Sequence, residues 1–331
     1  MRILILGAGV IGSFNAARLT EAGQEVTLLA RGRRLADLRE YGVVLENFRT
    51  GRRTITRVPL VDRLAPDDAY DLAIVVVRVN HIPSILPALA QNHRIPSVLF
   101  LGNNAAGPQE LIKALGRERV LMGLANAGGA REGHVVRYLW WRWMPLLFGE
   151  LGDVRTPRTE AIVRLFRSAG LPARVVKNVD AYLKTHAVGL PALAGAVYMA
   201  GGNVRQFAHT RDAVKLFLRA FREALRALHA IGIPLKPSGT RLMEWIPEPI
   251  LLLLLLLLRH FFDSRLADMG AQPHLDAAAD ELKELADEVR TILRRSGLPS
   301  PASDLLYARV EAQFQALGSG STTARPSPVV A

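Results

Sequence analysis

Residues Arg2 to Leu6 (RILIL) run straight into Gly7-Ala8-Gly9-Val10-Ile11-Gly12, and no other stretch limits the fold so tightly. The chain continues as SFNAARLTEAG and re-emerges as Glu25 to Leu29 (EVTLL), followed by Ala30-Arg31. That order is strand, glycine turn, helix, strand. The G-x-G-x-x-G spacing alone arises by chance. Directly after a strand and at a helix start, it points to a dinucleotide-binding unit. Gly7 permits the tight turn. Gly9 lets the backbone approach a pyrophosphate. Gly12 lets the helix sit close on the strand. Val10 and Ile11 open that helix, whose free N–H groups and positive dipole end face the phosphates.

The second strand ends in Arg31-Gly32-Arg33-Arg34. An acidic residue there would bind an adenosine ribose 2′-hydroxyl and select NAD. Arginines accommodate a 2′-phosphate and select NADP. Arg31 is the best placed, with Arg33 or Arg34 assisting. Val43–Leu45 and Thr54–Val61 read as strands of a hairpin closing the first mononucleotide unit. Asp71–Arg78 (DLAIVVVR) and Ser97–Leu101 (SVLFL) are apolar runs typical of strands covered on both faces. The first ends at Arg78-Val79-Asn80-His81. The second ends in the polar loop Gly102-Asn103-Asn104-Ala105-Ala106-Gly107. Loops at the carboxyl ends of parallel strands line the ligand crevice, so Arg78 and Asn103 should converge on the site that Gly7–Gly12 begins. Arg119–Asn126 reads as a further strand. His134–Trp141 and Met144–Gly149 read as an antiparallel pair, with Trp140, Trp141 and Trp143 as packing residues between them. Arg158–Ala169 reads as a helix and Ala173–Val176 as the last strand.

From Asn178 the pattern is helical. Helices are expected over Asp180–Met199, kinked by its glycines and proline, and over Asp212–Ile231, Glu248–Leu266, Asp276–Ser296 and Ala302–Leu317. The Gly/Ser/Thr/Pro-rich 318–331 reads as a disordered tail. The expected domains are therefore a dinucleotide-binding domain over 1–176 and an all-helical substrate and catalytic domain over 177–317, with the cleft between them. The 331 residues include no cysteine, which excludes disulfides and thiolate chemistry and fits a cytoplasmic location. The net charge of +12 comes mostly from scattered arginines. This reads as a basic surface with one anion site rather than a nucleic-acid footprint. Ile250–Leu258 is apolar throughout, but a membrane-spanning helix needs about 20 such residues. Leucine on every face implies burial on all sides or a subunit interface, which would make a homodimer. No membrane partner and no metal site are expected.

With these residues in place, the layout resembles the ketopantoate reductase (2-dehydropantoate 2-reductase) family over nearly all of residues 1–317, as a divergent paralogue. The glycine loop, Arg31, Arg78, Asn103 and the ending Gly297-Leu298-Pro299-Ser300-Pro301 with Asp304-Leu305-Leu306-Tyr307 carry the resemblance. It implies a Rossmann-type α/β domain followed by an all-α domain of the 6-phosphogluconate dehydrogenase C-terminal type. It also implies reduction of 2-dehydropantoate to (R)-pantoate with NADP(H), a step of pantothenate biosynthesis. Carried over position by position, Arg31 matches the 2′-phosphate contact, and Arg78 stands where a cofactor-binding lysine is usual. Asn103 matches the asparagine touching the nicotinamide ribose and the substrate, although Gly102-Asn103-Asn104 replaces the usual Gln/His-Asn-Gly.

Lys184 matches the catalytic lysine. An ammonium there stabilises the negative charge that hydride transfer leaves on a ketone oxygen and can donate the proton, the more readily if neighbouring cations lower its pKa. Val188 and Ala192 stand where asparagines are common, which implies a more apolar substrate pocket. His186 reads as packing, and Asn203 is a weak replacement for a lost amide. The family glutamate, counted back from Gly297, falls on Glu281, although Asp280, Glu284 and Glu288 fit a plain solvated face equally well. The serine that meets the substrate carboxylate falls on Ser264. The leading expectation is NADPH-dependent reduction of a small 2-oxo acid. The alternatives are a paralogue acting on another 2-oxo acid or ketone, and a non-catalytic NADP(H)-binding module that would not need Lys184.

Overall fold

The computed structural model describes residues 1–257, 275 and 278–318. Its α/β domain is built on β1 (Arg2–Leu6), β2 (Glu25–Leu29), β5 (Leu60–Val61), β6 (Leu72–Val75), β7 (Val98–Leu101), β8 (Val120–Leu124), β11 (Leu146–Glu150) and β12 (Ala173–Val175). They form one sheet in the order β12-β11-β8-β7-β6-β1-β2-β5. Every pairing is parallel except β11 with β8. The central strands β6 (LAIV) and β7 (VLFL) are buried along their whole length. That is why they are short apolar runs rather than alternating ones. From β1 the chain first moves outward through β2, then returns to the other side of β1 as β6. The strand order reverses there, and a ligand crevice opens beyond the carboxyl ends of such strands.

A second sheet, in the order β4-β3-β10-β9, combines β3 (Val43–Asn47), β4 (Arg53–Thr56), β9 (Ala127–Glu132) and β10 (Val135–Trp140). It corrects two readings. The hairpin of β3 and β4 exists, but it belongs to this sheet, and Leu60–Val61 separates from it to pair with β2. The segments around His134–Trp141 and Met144–Gly149 are not partners: β10 pairs with β9 and β3, whereas β11 crosses to β8 and β12. Close spacing along the chain suggested pairing, but both apolar faces of β11 are needed in the main sheet. Trp140 lies beside Phe14, with ring centroids 6.3 Å apart, while Trp143 is exposed.

Helices α1 (Val10–Glu21), α2 (Gly32–Tyr41), α3 (Ile82–Gln91), α4 (Gln109–Leu115) and α5 (Pro157–Ser168) accompany the strands. After β12 the described chain is helical: α6 (Val179–Ala187), α7 (Gly189–Met199), α8 (Val204–His209), α9 (Arg211–Ala230), α10 (Glu248–Leu257), α11 (Ala279–Ser296) and α12 (Pro301–Gly318). The expected kinked helix is two helices, α6 and α7, that meet at Val188. Asn178 starts α6, its side-chain oxygen accepting from the Ala181 amide at 3.1 Å.

Two apolar cores flank the main sheet, and a third joins α7, α9, α11 and α12. On α10, Leu251 and Leu252 are buried, but Leu253, Leu254 and Leu257 are exposed, so burial on all sides is not what the described part of the leucine run shows. No described helix is long and apolar enough to cross a membrane. Ser264, the remainder of the expected 248–266 helix and the tail from 319 lie outside the described residues.

Candidate active site

The glycine loop is shaped by three different constraints. Gly7 has φ +111°, a left-handed conformation that disfavours other residues. A Cβ on Gly12 would lie 1.8 Å from the Gly7 carbonyl oxygen, so α1 can sit this close to β1 only with glycine there. A Cβ on Gly9 would meet nothing within 4 Å. That side of the loop is open, as a phosphate-approach face must be. The first helical bond runs from the Ser13 amide to the Gly9 carbonyl at 3.0 Å. Val10, Ile11 and Gly12 thus form the opening turn of α1 behind the loop.

In front of it lies a cleft of about 430 Å³, lined by Gly7, Ala8, Gly9, Arg31, Arg34, Arg78, His81 and Arg131 among others. No carboxylate among the described residues lines it. At the end of β2, Arg31 is exposed and its Nε donates to the Asp62 carbonyl at 3.1 Å. Arg34 turns back onto the glycine loop, donating to the Ala8 carbonyl at 3.0 Å and the Ser13 hydroxyl at 3.0 Å. Burial, then the charge of Arg131, pushes the Arg34 guanidinium down to about 10, with Asp37 opposing. Arg131 comes from β9 in the second sheet. Sequence reading missed it because nothing local marks a strand of a separate sheet as part of this crevice. Arg33 is exposed and does not line the cleft.

Arg78 and Asn103 stand at the carboxyl ends of neighbouring strands, yet only Arg78 lines this cleft. Both are held by α11. Asp280 accepts from Arg78 Nη1 at 3.0 Å and Asn80 Nδ2 at 2.8 Å, and His81 Nε2 lies 3.8 Å away. Burial pushes the Asp280 carboxyl up. The bonds from Asn80 and the Glu281 amide, with the charges of Arg78 and His81, outweigh it and hold the carboxyl below its ordinary value. Asn103 Nδ2 donates to Glu281 Oε1 at 3.1 Å. Glu281 is buried, 4% exposed.

The reading of Asp280, Glu284 and Glu288 as a plain solvated face needs correction. Glu284 is exposed, but Asp280 is tied to Arg78 and Asn80, and Glu288 Oε2 accepts from the amides of Ala105 and Ala106 at 2.7 and 3.0 Å. The apolar residues of α11 point to the helical core, and the flanking acidic positions meet two loops of the α/β domain.

Lys184, on α6, has a side chain only 11% exposed. Its ammonium bonds Asp180 one turn earlier and lies beside Gly107, 2.9 Å from where a Cβ would be. The expected cationic neighbours are therefore corrected: the adjacent charge is a carboxylate. Val188 and Ala192 are fully buried in the helical core, so they do not make the pocket apolar as expected. Asn203 caps α8 by accepting from the amides of Arg205 and Gln206, a structural use of its amide. No group of residues that could hold a metal occurs among the described residues.

A glycine loop at the switch point of a parallel sheet, a cationic cleft before it and a helical region reaching over the strand ends define a nicotinamide-dinucleotide-dependent oxidoreductase. Residues 3–150 match the family model of ketopantoate reductase PanE/ApbA. A 2-dehydropantoate 2-reductase of Pyrococcus horikoshii is 26% identical over 97% of this chain and 100% of its own length. Over its α/β domain the chain is thus similar to the ketopantoate reductase family, and the Pyrococcus relative extends that similarity along nearly the whole chain. Among solved structures, 2-dehydropantoate 2-reductase from Geobacter metallireducens GS-15 superposes with a TM-score of 0.75 at 19% identity, covering 95% of this chain and 100% of that one. D-mandelate dehydrogenase with NADH and anilino(oxo)acetate superposes with a TM-score of 0.77 at 19% identity, covering 96% and 100%. At these identities the two structures show a shared fold.

Proposed function

We propose that this enzyme reduces a small 2-oxo acid with NADPH, 2-dehydropantoate to (R)-pantoate being the foremost reaction. The observation that carries the cofactor choice is the ribose end of the cleft, which Arg31, Arg34 and Arg131 line together. Three guanidiniums against the single nearby carboxylate of Asp37, 3.7 Å from Arg131, leave a net positive charge that suits a 2′-phosphate better than a bare 2′-hydroxyl. The open face of Gly9 and the amides opening α1 fit the pyrophosphate. A bound reduced nicotinamide would supply the hydride.

The chain's own residues do the rest. Asn103, steadied by Glu281, orients the reacting carbonyl. The Lys184 ammonium leaves Asp180, stabilises the charge developing on the carbonyl oxygen and donates its proton there. Arg78 adds positive charge where an anionic cofactor and an anionic acid meet. Ser264 is the proposed contact for the substrate carboxylate. We assign residues 1–176 to cofactor binding and 177–317 to the substrate side.

A second substrate reading has one observation behind it. D-mandelate dehydrogenase shares the fold and binds an oxo acid bearing an aromatic group, so a 2-oxo acid bulkier than 2-dehydropantoate is the alternative. The test is oxidation of NADPH, and of NADH in parallel, with a panel of 2-oxo acids that includes 2-dehydropantoate. The expected result is turnover with NADPH preferred and about 100-fold loss of kcat in Lys184→Ala. A preference for NADH would remove the argument from the arginines. An unchanged rate in Lys184→Ala would remove the proton donor.

A further inference from the structure

One polar group near the reaction machinery has no role in the scheme above. Glu288 sits on α11 seven positions after Glu281, two turns along the same face. Seven residues of helix rise about 10.5 Å. The loop after β7 meets both glutamates. Asn103 meets Glu281 at one end, and Ala105 and Ala106 give both amides to one oxygen of Glu288 at the other. Two successive N–H groups converging on one anionic oxygen form a backbone nest.

Within the loop, the Asn104 side chain bonds both the amide and the carbonyl of Gly107, closing the segment into a small ring. Residues 104–107 therefore shift together. Lys184 packs on Gly107 at the far side of that ring. Whatever fixes Ala105 and Ala106 consequently fixes both the Asn103 amide and the surface against which the Lys184 ammonium rests.

We propose that Glu288 is a positioning residue for the reduction, setting Asn103 and Lys184 relative to each other through its grip on the Ala105 and Ala106 amides. The proposal rests on the reductase reading above. Glu288 is only partly exposed, and burial, with the charges of Glu284 and Glu281 behind it, pushes its carboxyl above the ordinary value against the pull of the two amides.

The test compares Glu288→Ala, Glu288→Gln and the unmodified enzyme in steady-state reduction of the best 2-oxo acid of the panel. Backbone amide exchange is followed across 102–108. Glutamine keeps an oxygen that can accept both amides, whereas alanine keeps none. The expected result for Glu288→Ala is a kcat lowered about tenfold or more, with KM for NADPH within about twofold, because a misplaced reacting group costs rate rather than cofactor binding. Its 105–106 amides should exchange faster, and Glu288→Gln should recover most of both effects. A purely structural role would instead lower thermal stability and leave kcat of the folded Glu288→Ala enzyme within about twofold, which would overturn the proposal. Unchanged exchange at Ala105 and Ala106 would overturn it too. Absence of turnover by the unmodified enzyme with every acid would overturn the reductase reading itself, and this inference with it.

Discussion

At single residues, the decisive contrasts are between side chains that are absent and side chains that are charged. Gly12 is the sharpest case, because even a methyl group would collide with the Gly7 carbonyl 1.8 Å away. Gly12→Ala should push α1 off the loop, abolish measurable NADPH binding by calorimetry and cost about 1–3 kcal/mol in chemical denaturation. Arg31 is the opposite case, an exposed group whose role in this proposal is its charge. Arg31→Glu should raise KM for NADPH by about 10–100-fold while leaving KM for NADH within a few fold, since a lost phosphate contact is replaced by repulsion. Parallel initial rates with the two cofactors check this, and equal effects on both would contradict the assignment. The glycines and Arg31 are legible in the sequence because each acts through its own backbone or its place at a strand end.

Elements add constraints that no single position announces. Helices α7 and α12 approach so closely that a Cβ on Gly195 would lie 2.3 Å from the Leu306 carbonyl oxygen. Gly195→Ala should force them apart and destabilise the helical core by about 1–3 kcal/mol, seen as a lower thermal midpoint. The sequence reading took Gly195 as a kink residue of one long helix. Its burden is instead a close crossing with a helix a hundred positions later, which periodicity cannot show. The same holds for β10 and β11: their apolar pattern says strand, but not which sheet. Amphipathicity placed α11 correctly as a helix. Which of its acidic residues are solvated was invisible, because that depends on the loops it meets.

Across the whole molecule, α11 ties the α/β domain to the helical region through Asp280, Glu281 and Glu288. The Asp280 cluster gives this tie a pH dependence. Its carboxyl is held below its ordinary value, so the unfolded chain takes up the proton first. The stabilisation is complete above the ordinary carboxylate range and is lost as pH falls through the lower folded value. Asp280→Asn should therefore be less stable than the unmodified protein at pH 6, by about 0.5–1 kcal/mol given its partial exposure, with the gap closing towards pH 3. Urea titrations at the two pH values measure it. Glu288 carries the opposite sign, because its raised carboxyl makes the ionised form costly as pH rises.

By itself the sequence determined the dinucleotide-binding start, the apolar strands covered on both faces, the change to helices after β12 and the arginine at the end of β2. Those features act over a few residues, through backbone freedom, side-chain period and placement at strand ends. Only the tertiary structure decided that β9 brings Arg131 into the cleft, that Val188 and Ala192 belong to a core, and that Asn103 meets Glu281 across 178 positions. Such contacts follow from how layers and helices pack, and packing depends on the whole chain at once.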